Sequence, residues 1–162
     1  MKKIEPKLFG PMTLAEWDEK WEKVPGGLRQ GQKHLRPDVG LYRMILNGQI
    51  VVVGSGTDKK HGVEKRLYDL SRPGKSSRDH HAGRLIYEHR DELVVEVLLT
   101  GVGPRAREIA EDLKWPMIRR HVPTWTAPAR DPRTFVRPRK RRPKRAGRGL
   151  KATPYTGTIP KG

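Results

Sequence analysis

A chain of 162 residues with a net charge of +17, 34% hydrophobic residues and no cysteine excludes several classes at once. Its apolar content lies below the roughly 45–50% of ordinary globular chains, so a modest core with uncored segments is expected, and its charge points to polyanionic partners such as nucleic acid. Without cysteine there are no disulfides and no thiolate metal sites, and no apolar run of ~18 residues offers a membrane span.

The first residues, MKKIEPKLFGPM, open on charge as a signal peptide does, but no apolar stretch of ~7–15 residues follows. A cytoplasmic or virion location without signal-peptide secretion is expected. In TLAEWDEKWEKV, Thr13 and Glu16 form a capping box, and Leu14, Trp17, Trp21 and Val24 fall on one helical face. The tryptophans are more simply read as docking this helix than as stacking on bases. Pro25-Gly26-Gly27 should stop the helix. Residues 1–39 are thus expected to be an N-terminal arm with a short amphipathic helix.

LYRMIL and QIVVVG are apolar, β-branched runs joined by Asn47-Gly48, a dipeptide that favours positive φ at both turn positions. GVEKRLYDL reads as a short helix. SSRDHHAGRLIYEHR reads as a second, starting after Ser77 or Asp79. ELVVEVLL is a third strand, and PRAREIAEDLK a helix with Pro104 near its start. Pro116 should end or kink it, with MIRRH adding a further turn. The expected fold is α/β (α+β): a central three-stranded sheet flanked by helices over residues 40–126, with extended N- and C-terminal arms. Acids Glu88, Asp91 and Glu92 near Arg84 and Arg90 read as a solvated face, and His61, His80, His81 and His89 as exposed loop histidines rather than metal ligands. GSGTDKK lacks the Gly-Lys-Ser/Thr ending of a phosphate loop.

Residues 127–162 carry 12 Lys/Arg and one acid, so +11; the other 126 residues carry 23 and 17, so +6. This tail, rich in Pro, Gly, Arg and Lys, is expected to be extended. Its Arg137, Arg139, Lys140, Arg141, Arg142, Lys144, Arg145 and Arg148 are candidates for binding phosphate backbone or a neighbouring subunit.

The middle of the chain resembles the GIY-YIG nuclease superfamily. Gly40-Leu41-Tyr42 stands at the first tripeptide and Val52-Val53-Gly54 at the second. Lys65-Arg66-Leu67 stands at the helix arginine, and Met117-Ile118 with Pro123-Thr124-Trp125-Thr126 at the closing motif. The resemblance implies a metal-dependent phosphodiesterase site: a tyrosine as base, an arginine on the phosphate, and a glutamate holding Mg²⁺. Carried across, it implies Tyr42 and Arg66 as catalytic positions. The second tyrosine falls on Val52, the glutamate on Lys114 and the closing asparagine on Thr126, so three of the five positions depart. A register slip around Trp115-Pro116 would instead bring Glu111 or Glu108 to the metal position.

The leading expectation is therefore an assembly protein of a nucleoprotein particle, such as a phage head or connector. It would rest on an inactive nuclease-like domain, need no cofactor, and bind nucleic acid or neighbouring subunits through its basic arms. The alternatives are an active Mg²⁺-dependent endonuclease and a nucleic-acid-binding module without catalysis.

Overall fold

The computed structural model describes residues 4–72 and 82–126. The expected start of the second helix, His80, His81 and the whole basic tail lie outside them.

Two strands, β1 (Leu8–Phe9) and β2 (Met12–Thr13), make a small hairpin that runs into α1 (Leu14–Asp18). The capping box at Thr13 and Glu16 is formed: the Thr13 N–H donates to the Glu16 carboxylate at 2.7 Å, and the Glu16 N–H to the Thr13 hydroxyl at 3.3 Å. The helix does not run on to Val24 as its periodicity predicts. It ends at Asp18, and β3 (Glu22–Lys23) joins the main sheet instead. Two tertiary demands override the helical pattern. Asp18 is held by the Trp21 indole, Arg120 and His121, and the Val24 N–H donates to the Val95 carbonyl at 2.8 Å while its side chain is buried. The tryptophans do dock this segment: Trp17 is buried and its indole N–H donates to the Phe9 carbonyl at 2.8 Å.

β4 (Val39–Leu46) and β5 (Gln49–Gly56) form the expected hairpin, with Asn47 and Gly48 both at positive φ. After it come α2 (Gly62–Leu70), α3 (Gly83–Glu88), β6 (Val94–Gly101) and α4 (Pro104–His121). The sheet is antiparallel in the order β3-β6-β4-β5, so it has four strands rather than three, and the N-terminal segment is part of the domain rather than an arm. Pro116 lies inside α4 without ending it, and the final basic turn Arg119-Arg120-His121 is helical.

The sheet is covered on both faces, as strand alternation dictates. Tyr42, Met44, Val52, Val95 and Val97 pack with Val63, Leu67 and Leu70 of α2 and Ile86 of α3. Leu41, Val53 and Leu98 pack with Ile109, Leu113 and Met117 of α4 and with Phe9 and Trp17. β5 is one of the two edge strands of this order. The segment after α4 lies along it: the Trp125 N–H donates to the Val51 carbonyl at 2.8 Å, and the Val53 N–H to the Thr126 hydroxyl at 3.3 Å.

Candidate functional site

Tyr42 on β4 faces Gly54 on β5 across the hairpin. A Cβ on Gly54 would overlap the Tyr42 ring, and one on Gly40 would overlap the Leu98 carbonyl of β6. The two glycines that open and close the hairpin therefore have packing reasons to be glycine. The phenol itself is buried, and α2 brings the Arg66 guanidinium against its hydroxyl. Because β5 is an edge strand, helices from both faces of the sheet reach the same cavity. It measures about 130 Å³ and is lined by Tyr42, Gly54, Ser55, Arg66, Lys114, Trp115, Trp125 and Thr126 among others.

Burial pushes the Tyr42 phenol up to about 12, against the opposing pull of Arg66. At neutral pH the group is a protonated hydroxyl, which donates a hydrogen bond and is a weak base. Burial also pulls the Lys114 ammonium below the ordinary lysine range, and the Arg66 charge pulls it further. Among the described residues neither cation has a carboxylate partner. Two uncompensated cations, a phenol and the hydroxyls of Ser55 and Thr126 make a pocket suited to an anion with several acceptor oxygens.

Of the sequence-predicted positions, Tyr42, Arg66, Lys114 and Thr126 come together at this cavity. Val52 does not: it is buried in the core cluster beneath the sheet. α4 runs on through Pro116, and the residues it contributes to the cavity lining are Lys114, Trp115 and Ile118. Glu108 is exposed and pairs with Arg105 at 3.0 Å, and Glu111 is exposed and outside the cavity lining. Carboxylates in the adjoining depression are committed elsewhere. Asp69 takes the Lys65 ammonium at 2.8 Å on both oxygens, and Asp58 accepts from the backbone of Lys60 and His61. Among the described residues no three His, Cys, Asp or Glu converge. With Lys114 and Arg66 in its lining and no carboxylate, the cavity does not fit Mg²⁺. Arg84 and Glu88 pair on an exposed face, as expected, and His61 and His89 sit beside Asp58 and Glu92.

Several members of the lining, Ser55, Trp115 and Trp125 among them, were not singled out by the sequence as site residues. Trp115 carried a signal: it follows Lys114 on a helix whose apolar stripe does not include it. No protein-family model, curated protein or solved structure matches this chain. Among the described residues no helix is long and apolar enough to cross a membrane.

Proposed function

We propose that this chain is a non-hydrolysing relative of the GIY-YIG nucleases that grips nucleic-acid phosphate and serves as an assembly component of a nucleoprotein particle. The observation that carries the reading is Lys114: an ammonium stands in the cavity where the resemblance calls for a metal-binding carboxylate, beside Arg66 and a phenol too weak as a base to activate water. The same replacement that removes the metal supplies charge for a phosphate. Binding survives this change and catalysis does not. The particle setting rests on the +11 of residues 127–162, which suits a long anionic partner or an acidic neighbouring subunit.

The test pairs a plasmid-nicking assay in Mg²⁺ and Mn²⁺ with a gel shift on the same DNA, using wild type, Arg66→Ala and a deletion of residues 130–151. The expected result is no nicking, binding whose affinity drops steeply with salt, and partial losses of binding in each variant. Metal-dependent nicking lost in Arg66→Ala would establish an active endonuclease and overturn the reading. So would failure of wild type to bind DNA at low salt.

A further inference from the structure

We infer that the Arg66–Lys114 cavity and the Trp115 indole at its rim together select single-stranded over duplex nucleic acid, with a backbone phosphate in the cavity and the adjoining base stacked on Trp115. This deepens the phosphate-binding reading above and rests on it.

Size gives the first argument. A cavity of about 130 Å³ holds the volume of about four waters. That is room for a phosphate group rather than a whole nucleotide, so a nucleotide held by its phosphate would extend past the cavity. One member of the lining, Trp115, is 37% exposed while most apolar side chains of α4 are buried. The Lys114 ammonium lies 5.2 Å from the Trp115 ring centroid, a separation within the reach of one nucleotide from its phosphate to its base.

The second argument is that Trp115 is the most exposed of the four indoles, with the Lys114 ammonium over its ring, while the other three are tied into the fold. Trp125 also lines the cavity, but its ring lies against His89 at 5.4 Å and its backbone is tied to β5. Trp17 is buried, and the Trp21 indole donates to Asp18 and lies under Arg43. Base–aromatic stacking is tolerant of sequence because every base has a π-face. A duplex keeps its bases paired and stacked on the helix axis, so a duplex phosphate in the cavity leaves Trp115 bare. A single strand can turn a base outward at no pairing cost.

The experiment uses the full chain with three probes: a short oligothymidylate, a strand of the same length with abasic sugars, and a duplex of that length. Trp115→Ala is expected to weaken binding to the oligothymidylate about tenfold and to leave the abasic strand and duplex unchanged, and Trp115→Phe to restore the loss. An oligothymidylate affinity unmoved by Trp115→Ala, or an equal loss on all three probes, overturns the inference while leaving phosphate binding standing. If wild type binds none of the probes at low salt, both this inference and the reading beneath it fail.

Discussion

Cations meet two different fates in this molecule. Arg36 pairs with the buried Glu64 at 2.8 Å, Arg43 with Glu96 across the β4–β6 ladder, and Arg120 with Asp18 at 2.7 Å. In each case a cation brought against the fold is met by a carboxylate from a distant part of the chain. Arg66 and Lys114 are brought against the fold in the same way but, among the described residues, have no carboxylate partner: Arg66 lies against the Tyr42 phenol and Lys114 over the Trp115 ring. The paired cations hold elements together; the unpaired ones leave a charge that an incoming anion can neutralise.

The comparison breaks most visibly at its structural side. Asp18 joins three partners: the Trp21 indole at 2.9 Å, Arg120 and His121, the last at 2.6 Å. Asp18→Ala strips all three and leaves the end of α4 with unanswered donors. We expect a loss of about 2–3 kcal/mol in urea unfolding with DNA binding kept. Burial opposes the Asp18 charge, but hydrogen bonds from Trp21, His121 and Arg120 outweigh it and hold the carboxyl below the usual range. The sign follows: its contribution is fully present above the ordinary aspartate pKa of about 4 and is lost as pH falls through the lowered value. The stability gap between wild type and Asp18→Asn should therefore close in strong acid. A gap constant down to that range would mean that the carboxylate is not what the network holds.

At the cavity the same kind of change should do the opposite. Lys114→Met removes a cation that burial and Arg66 both disfavour. It should leave unfolding stability no lower than wild type while weakening DNA binding and lowering the salt slope by about one. The sign can be checked by titration. Lys114 binds its proton less tightly folded than unfolded, so wild-type stability rises with pH between the lowered value and the ordinary ~10.4. The Met variant should lack that rise. A destabilised Lys114→Met protein with unchanged binding would make Lys114 one more structural cation.

These two regions also differ in how far the sequence foretold them. The β4–β5 hairpin, α2 and the alternating core of β6 were legible because short-range pattern and tertiary need agree there. The helix past Asp18 was misjudged because Trp21 and Val24 satisfy a helical stripe and an extended edge strand equally well, and only the bond from Val24 to Val95, 71 residues away in the chain, decides between them. The site was half legible. Motif position pointed to Tyr42, Arg66 and Lys114, but that they line one cavity, with Glu111 outside it, is visible only once α4 is laid on the sheet. Pairings such as Arg36–Glu64, separated by 28 residues, leave no local mark at all.

The smallest expected effect is also the one that separates binding from catalysis most cleanly. Tyr42→Phe keeps the ring that packs over Gly54 and removes only the hydroxyl beside Arg66. If the phenol is a hydrogen-bond donor to a bound phosphate, its loss should weaken DNA binding by about 0.5–1 kcal/mol, a few-fold in Kd, with the same pH dependence as wild type below pH 10. The wild-type phenol should stay protonated until pH nears 12, visible as a missing component in the alkaline tyrosine absorbance titration that Tyr42→Phe does not change below that range. A phenol titrating near neutrality would be a competent base, and the case against hydrolysis would then rest on Lys114 and on Val52.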